Sequence, residues 1–284
     1  MATELLLIAV GNTRTRYALV EDGEIQPAAS LRNDRLEDDA AELRAVVEAH
    51  QNLAVLIASV NKPVAKRVQE HVDEAAPAGT RVLRFGQDVA IDVPHSLTPP
   101  ITVGQDRLLA ALGAFARSDQ ACVVVDAGTA ITADFIDGQG IFHGGAIAPG
   151  VRMMLASLHE HTAALPEVEF SPDLAPSLSG GWGLESDDDG AAKAAAQPFG
   201  KTTAQAMVLG AVSAARGLVH TLVDRYAEFY EAYPRVVATG GDAPMLFENH
   251  PIVEHIVPDL VLIGMLTAWQ MHVANEEDAD QELA

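Results

Sequence analysis

Two stretches of the chain repeat one pattern, and this repeat constrains the fold more than any other feature. Residues 5–25 read LLLIAVGNTRTRYALVEDGEI, and residues 122–142 read CVVVDAGTAITADFIDGQGIF. Each stretch has an apolar run, a glycine–threonine turn, a second largely apolar segment and an Asp-Gly turn, which predicts a strand–turn–strand unit. Strands alternate with helices along the rest of the chain. The sequence therefore predicts an α/β fold made of two similar domains with a cleft between them.

The segments outside the repeat carry ordinary helix and strand signals. Apolar residues at helical spacing predict helices at 35–50, 62–75, 105–116, about 149–161 and 203–232. Pro149 suits the start of its helix. Adjacent prolines predict a loop at 95–104, and residues 171–200 are rich in Pro, Gly, Ser and Asp, which predicts a flexible surface loop. The acidic tail from residue 274 is expected to be frayed.

Charge and composition exclude several classes of protein. The chain has 40 acidic and 18 basic residues and a net charge of −22, so a broad basic face for nucleic acid is not expected. The acidity is explained either by solubility or by a halophilic host, and both remain open. The negative electrostatic field of such a chain would repel an anionic substrate, which would therefore need a local basic pocket. The candidates for this pocket are Arg14, Arg16, Arg107 and Arg152.

The expected location is the cytoplasm. No run of about 18 apolar residues is present, so no membrane span is expected. The N-terminus MATELLLIAVGNT has no basic leader and no cleavage site. The single cysteine, Cys122, cannot form an internal disulfide, which fits a reducing compartment.

The two glycine–threonine turns are candidate phosphate sites. Gly11 and Gly128 can adopt positive φ, which would let backbone N–H groups point into one concavity. Thr13 and Thr129 add hydroxyl donors. Either turn alone could be an ordinary hairpin turn, but two copies with matching flanks favour a clasp for a polyphosphate.

A second candidate site lies at VGQDRLLAALGAF, residues 103–115. Asp106 could cap the helix, but Arg107 in the first turn opposes the helix dipole and so indicates a carboxylate or phosphate partner. An aspartate beside such a clamp is placed to accept a proton from a substrate hydroxyl. Further along, the paired Gly240 and Gly241 in ATGGDA would allow close approach of a planar ligand such as adenine. The histidines match no structural zinc spacing.

These motifs, in this order, resemble the type III pantothenate kinases almost from end to end. The matching segments are AVGNTRTR (9–16), GQDR (104–107), DAGTA (126–130), GGAIAPG (144–150), HTAALP (161–166), Thr203 with Ala206 and Gly210, and TGG (239–241). The family belongs to the acetate and sugar kinase, chaperone and actin superfamily, whose fold is a duplicated ribonuclease H-like, or actin-like ATPase, fold. The resemblance implies an N-terminal domain at 1–117, with the first phosphate turn and GQDR, and a C-terminal domain at 118–284, with the second turn and the adenosine motif.

The resemblance also implies the reaction and its residues. The reaction is ATP-dependent phosphorylation of pantothenate to 4′-phosphopantothenate, the first step of coenzyme A synthesis, with Mg²⁺ and K⁺ or NH₄⁺ as cations. Asp106 would be the catalytic base, and Asp126 would hold the monovalent cation. The substrate residues would be Leu97, Gly104, Gln105, Asp106, Arg107 and Thr203. The ATP residues would be Ala9, Val10, Gly11, Asn12, Thr13, Arg14, Thr15, Arg16, Gly128, Thr129, Gly240 and Gly241. Family members are cytoplasmic homodimers, with the pantothenate pocket near the interface.

Three residues depart from the family pattern. Ala9 stands where the family has the aspartate that orients Mg²⁺ at the ATP phosphates, Leu97 where a tyrosine often contacts pantothenate, and Ile263 where glutamate is usual. Loss of an outer-shell metal partner typically lowers metal affinity or activity by ~10–100-fold. Three interpretations are therefore open: a working pantothenate kinase, an impaired paralogue that binds nucleotide or pantothenate as a sensor or regulator, and a kinase for another small hydroxy acid.

Overall fold

The structure is a computed structural model that describes residues 4–99, 102–171 and 199–282. Its strands are β1 Leu5–Val10, β2 Arg14–Glu21, β3 Glu24–Ile25, β4 Ala29–Arg32, β5 Ala54–Ser59, β6 Arg81–Arg84, β7 Cys122–Ala127, β8 Ala130–Ile136, β9 Phe142–Pro149, β10 Arg235–Thr239 and β11 His255–Ile256. Its helices are α1 Leu36–Asp39, α2 Ala41–Ala49, α3 Lys62–Ala75, α4 Gln105–Ser118, α5 Val151–Glu160, α6 Thr203–Tyr230, α7 Ala243–Phe247 and α8 Leu260–Glu282.

The chain divides into two compact units. The first contains the residues up to Ala121, the segment Ile136–Gly144 and the residues from Asp259 onward. The second contains Cys122–Phe135 and Gly145–Pro258. The last helix of the chain is thus part of the first unit. The sequence-derived domains, 1–117 and 118–284, remain a prediction.

The first unit is built on a sheet with the order β3-β2-β1-β5-β6, and β4 also pairs with β2. β1 runs antiparallel to β2 and parallel to β5, so it lies inside the sheet and its apolar run is buried on both faces. Leu6, Ile8 and Val10 join the core that α1, α2 and α3 cover. Since side chains alternate along a strand, Ala9 points to the opposite face, where α8 contacts β1.

Two glycines allow α4 and α8 to approach each other closely in the first unit. A Cβ at Gly264 would lie 1.8 Å from the carbonyl oxygen of Leu109, and a Cβ at Gly113 would lie 2.6 Å from that of Leu260. Both contacts are with backbone, which cannot move aside as a flexible side chain would. The first turn of α4, which contains Asp106, is therefore held on a helix pair that tolerates no side chain at these positions.

The second unit has the sheet order β11-β10-β7-β8-β9. β7 is parallel to β10, and β10 is parallel to β11, so the carboxyl ends of these strands lie at one edge. The long helix α6 is apolar and long enough to cross a membrane by length and composition alone. One such helix is weak evidence, since the core helix of a soluble protein passes the same test. The expectation of no membrane span stays a prediction.

Most predicted elements are confirmed, and three details are corrected. The helix expected at 35–50 is divided into a 3₁₀ turn, α1 and α2, with a break at Ala40. Pro149 ends β9 instead of starting a helix, because the chain is still extended there and Gly150 is the N-cap of α5. The tail expected to fray continues α8 to Glu282. The flexible loop predicted at 171–200 lies almost wholly outside the described residues.

Candidate active site

The first glycine–threonine turn is closed by its own backbone. β1 ends at Val10 and β2 begins at Arg14, and the Gly11 N–H donates to the Arg14 carbonyl at 3.0 Å. The prediction of a positive φ at Gly11 is wrong, because this closure keeps φ out of the left-handed region and occupies the N–H. Glycine is still needed for space, since a Cβ would lie 3.0 Å from the Arg14 oxygen. The Gly11 N–H is thus not available to a ligand, whereas the side chains of Asn12 and Thr13 are exposed.

A buried asparagine outside the motif holds this turn in place. The Asn33 side-chain amide donates to the carbonyls of Gly11 at 2.9 Å and Asn12 at 3.0 Å, and its backbone N–H donates to that of Thr13 at 3.0 Å. The Asn33 Oδ1 accepts from the Thr15 hydroxyl at 2.8 Å. These bonds tie three carbonyls of the turn to one buried residue. Sequence reasoning missed Asn33, which no local motif marks.

Ala9 lies directly opposite Arg16 in the β1–β2 pair and beside Ala58 of β5. Directly opposite side chains share a face of the sheet. The Arg16 guanidinium forms an ion pair with Asp259, which immediately precedes α8. The side chains are 41% and 18% exposed, so this pair is partly shielded from water. The position that lacks the carboxylate is therefore adjacent to an arginine that is already paired with another carboxylate.

The second turn occupies the equivalent place in the other unit. Asp126 is the last but one residue of β7, as Ala9 is of β1, which agrees with the alignment of the two copies. The Gly128 N–H donates to the Ala130 carbonyl at 3.0 Å, and its φ is not positive, so the predicted nest geometry is wrong here too. Thr129 is exposed at the tip of this turn.

Two further glycines bring other motifs against the second turn. A Cβ at Gly150 would lie 2.1 Å from the Gly128 carbonyl, and one at Gly240, whose φ is +93°, would lie 2.4 Å from both the Ala127 carbonyl and the Asp126 Oδ1. The structure thus brings GGAIAPG and TGG to the second turn by direct backbone contact. Beside the second turn, Gly240 has a positive φ, and Gly128, where it was expected, does not.

Arg152, a candidate for the basic pocket, is paired inside the second unit. Its guanidinium forms an ion pair with Asp242 and lies over the Phe170 ring, 5.4 Å from the centroid. The Asp242 side chain is 4% exposed, and its backbone N–H donates to the Ala127 carbonyl at 2.9 Å. Much of the Arg152 charge is therefore compensated locally, and Asp242 ties the TGG turn to the end of β7.

The GQDR segment begins α4 with Asp106 inside the first turn. Gly104 and not Asp106 is the N-cap residue, although the Asp106 side chain accepts a backbone N–H of the first turn. The Asp106 Oδ1 accepts the Arg107 N–H at 2.8 Å. Burial raises the pKa of Asp106 above its usual value, although the Arg107 N–H and the Arg107 charge partly oppose the shift. A half-buried carboxylate of raised basicity at a helix N-terminus is a suitable acceptor for a hydroxyl proton.

The start of α4 is fixed next to the first turn. The Gln105 side-chain amide accepts from the Ser59 N–H at 3.1 Å and donates to the Phe85 carbonyl at 2.8 Å. The Val60 N–H donates to the Val10 carbonyl at 3.1 Å, and the site of a Cβ on Gly104 lies 3.4 Å from Val60 Cγ1. The structure therefore brings GQDR to the edge of the sheet where β1 ends. Gln105 was predicted to bind substrate, but its side chain makes these structural bonds.

The other predicted substrate residues lie on different elements. Leu97 is half-buried in the loop before α4, and its Cδ2 lies 3.1 Å from where a Cβ on Gly144 would be. Thr203 is the exposed first residue of α6, and Thr202 before it is the N-cap that accepts from the Gln205 N–H at 3.2 Å. Leu97 belongs to the first unit and Thr203 to the second.

No cluster of three or more His, Cys, Asp or Glu side chains that could hold a metal ion occurs within 4–99, 102–171 and 199–282. Mg²⁺ in kinases is usually held by one or two carboxylates together with the phosphates of the substrate. The half-buried Asp126 beside the second turn offers a carboxylate to a cation, and it is the residue that the resemblance assigns to the monovalent cation. Ala9 at the first turn supplies none.

Comparisons with known proteins identify the family of the chain. The family model described as type III pantothenate kinase matches residues 5–225. The type III pantothenate kinase of Akkermansia muciniphila is 33% identical over 93% of this chain and 97% of its own length. That of Gluconobacter oxydans is 33% identical over 92% of this chain and 91% of its own. The match therefore spans both glycine–threonine turns and GQDR.

A solved structure supports the fold class. A proposed 2-dehydro-3-deoxygalactonokinase from Sinorhizobium meliloti aligns with a TM-score of 0.52 over 94% of this chain and 96% of its own, at 12% identity. Such low identity shows the fold alone. Together with the two sheets of the chain, it confirms the predicted duplicated actin-like α/β fold.

Proposed function

The chain belongs to the type III pantothenate kinase family, and we propose that Asp106 and Arg107 are the residues that carry its reaction. The protein is a small-molecule kinase that uses ATP and a divalent metal to phosphorylate pantothenate in coenzyme A biosynthesis. The family model and the curated relatives name pantothenate kinases and favour neither a regulator nor a kinase for another hydroxy acid. The observation that carries the proposal is the half-buried Asp106 carboxylate in the first turn of α4, whose pKa is raised by desolvation.

Asp106 accepts the proton of the pantothenate hydroxyl as that oxygen attacks the γ-phosphorus of ATP. The new oxygen–phosphorus bond forms, the bond to the β-phosphate oxygen breaks, and ADP leaves. Arg107 holds the pantothenate carboxylate, because guanidinium binds a carboxylate bidentately. Its place beside Asp106 in the first turn of α4 supports this role. The divalent metal, when bound with ATP, neutralises charge on the phosphates.

In this proposal each turn offers exposed groups that can bind the phosphates of ATP. Asn12 and Thr13 are exposed at the first turn, and Thr129 is exposed at the second. Arg16 supplies positive charge at the first turn while Asp259 holds its guanidinium. Gly241 leaves room for adenine, since nothing lies within 4 Å of the position of a Cβ there, and Gly240 packs against the end of β7 and holds the turn that carries Gly241.

Asp126 holds the monovalent cation, K⁺ or NH₄⁺. Its carboxylate lies against the glycine-lined turn and is half-buried, so a cation there would be partly shielded from water. Titration with KCl should raise the melting temperature of the wild type, with NaCl at equal ionic strength as the control. Asp126→Asn should remove the difference between the two salts. An equal response of the two proteins to K⁺ would argue against the site.

The protein is proposed to be a cytoplasmic homodimer that binds neither nucleic acid nor membrane. The long helix α6, rich in alanine and small residues, offers a face for close packing. Light scattering at micromolar concentration should give twice the 30.0 kDa chain mass. Low salt should oppose association, because each chain carries a net charge of −22. A 30.0 kDa species at every salt concentration would contradict the dimer.

Pantothenol tests the role of Arg107, because it replaces the carboxylate of pantothenate with an alcohol. The wild type should strongly prefer pantothenate. Arg107→Gln should raise the KM for pantothenate by about 10–100-fold, the range expected when one member of a charged hydrogen-bonded pair is lost, and should leave the KM for pantothenol almost unchanged. Equal losses with the two substrates would contradict carboxylate binding by Arg107.

A further inference from the structure

Three polar side chains outside the matched motifs form a hydrogen-bonded series in the first unit. The His143 Nε2 lies 2.7 Å from the Asp137 Oδ2, and the His143 Nδ1 lies 3.2 Å from the Ser96 Oγ. Because an ionised carboxylate can only accept, the Nε2–H donates to Asp137, and the Ser96 hydroxyl can then donate to Nδ1. This series, Asp137–His143–Ser96, connects the β8–β9 turn to the loop that precedes α4.

The β8–β9 turn holds Asp137, the first member of this series, in a fixed position. Its Oδ1 accepts the N–H groups of Gln139 at 2.9 Å and Ile141 at 3.0 Å, and its backbone bonds to Ile141 and Gly140 close the turn. Burial raises its pKa, but the hydrogen bonds from His143 and from the two backbone N–H groups outweigh burial, so the pKa is lowered overall. The carboxylate therefore stays ionised near neutral pH and fixes the imidazole.

The residues on either side of the histidine, Phe142 and Gly144, contact the same loop. The Phe142 N–H donates to the Pro94 carbonyl at 2.7 Å, and the Ser96 N–H donates to the Phe142 carbonyl at 3.1 Å. The next loop residue, Leu97, packs at Gly144, whose φ is +91° and where a Cβ would lie 3.1 Å from the Leu97 Cδ2. Residues 94–97 are thus held by two backbone bonds, one side-chain bond and one apolar contact.

We propose that Asp137, His143 and Ser96 form a latch that positions Leu97 as a wall of the pantothenate pocket. This inference rests on the proposed function, in which Leu97 is a substrate residue. His143 and Ser96 are positioning residues, because they act through the loop. The side chains of His143 and Asp137 are 25% and 14% exposed, so the bond between them is shielded enough to hold the loop in one place.

Calorimetry with pantothenate tests the latch without requiring turnover. Ser96→Ala and His143→Ala should each weaken pantothenate binding by roughly 10-fold, the range expected for one hydrogen bond to an ionic network, and leave ATP binding within about twofold. Ser96→Thr keeps the hydroxyl and should restore wild-type affinity. Ser96 is exposed, so its replacement is not expected to threaten folding.

A second His–Asp pair provides the matched control. The His220 Nδ1 lies 3.2 Å from the Asp224 Oδ2 on the surface of α6, and both side chains are about half exposed. His220→Ala should leave pantothenate affinity unchanged. Unchanged affinity in Ser96→Ala and His143→Ala as well would overturn the proposal.

Hydrogen exchange of backbone amides tests the latch without any substrate. The Ser96 and Phe142 amides should exchange faster in His143→Ala than in the wild type, and His220→Ala should not change them. A wild type that neither binds nor phosphorylates pantothenate would refute the proposed function instead, while the exchange experiment would still report on the latch. Unchanged exchange at both amides would refute the latch itself.

Discussion

Replacing Ala9 with aspartate tests whether the missing carboxylate limits this enzyme. Ala9 and Arg16 are directly opposite on adjacent antiparallel strands, so their Cβ atoms are expected to be about 4.5–5.5 Å apart. A carboxylate at position 9 would therefore reach the Arg16 guanidinium, which Asp259 already contacts through Nε. The guanidinium has five N–H donors and can bind both.

The expected effect on stability is small. A partly exposed Asp–Arg pair contributes about 0.2–1 kcal/mol, and repulsion from Asp259 should offset part of it. The melting temperature of Ala9→Asp should therefore stay within about 3 °C of the wild type. Ala18→Asp is the matched control, because Ala18 lies on the same face of the neighbouring strand and is 3% exposed. That variant should lose about 3 kcal/mol or more, since its carboxylate would be buried without a partner.

The expected effect on rate is larger and depends on metal. A carboxylate beside the phosphate turn can orient water on Mg²⁺, and gaining such an outer-shell partner should raise kcat/KM by ~10–100-fold. Without Mg²⁺ the same charge would repel ATP, so the gain should appear only when Mg²⁺ is added. The assay is coupled ADP release at varied Mg²⁺, with melting curves on the same samples. A melting temperature as low as that of Ala18→Asp, without a Mg²⁺-dependent gain in rate, would refute the reasoning.

Three further predictions concern the scaffold. Asn33→Ala should raise the KM for ATP by about 10-fold and leave the KM for pantothenate unchanged, because the first turn loses its buried hydrogen bonds. Equal changes in the two KM values would contradict this. Gly264→Ala should lose about 1–3 kcal/mol in urea unfolding through its contact with Leu109, whereas Gly217→Ala, with nothing within 4 Å, should be neutral or slightly stabilising. Burial, followed by nearby positive charges, lowers the pKa of His250 from 6.5 to about 4. The unfolded chain therefore binds a proton at this histidine before the folded chain does, so the free energy of unfolding is highest above pH 6.5 and decreases as the pH falls toward 4. His250→Gln should flatten that part of the stability–pH curve, and an unchanged slope would contradict the assignment.

Much of the fold could be predicted because the signals are local. The apolar runs of β1 and β7, the Asp22-Gly23 hairpin turn and the helix at 62–75 follow from residue spacing and turn chemistry. Ala40 shows the limit of this reasoning. The helical pattern of the sequence continues through Ala40, but α1 ends before this residue and α2 begins after it. Neighbouring residues alone do not reveal this break.

The site was predictable in its motifs and less so in its geometry. The position of Asp106 in the first turn of α4 follows from GQDR, but its burial depends on the tertiary fold. The positive φ expected at Gly11 and Gly128 was wrong, because a glycine can also be required for space alone. Asn33 is far from its turn in sequence, so the β-sheet register that brings it there had to be seen in the structure.

The most direct test of the account is the rate of 4′-phosphopantothenate formation in Asp106→Asn. Asparagine keeps the shape and can still accept the Arg107 N–H, so the fold and ATP affinity should be those of the wild type, but it cannot accept the hydroxyl proton. Mass spectrometry of the product, with ATP binding measured by calorimetry, should show ATP affinity retained and product formation reduced by about 10²-fold or more. Wild-type rates in Asp106→Asn would contradict the assignment of Asp106 as the catalytic base.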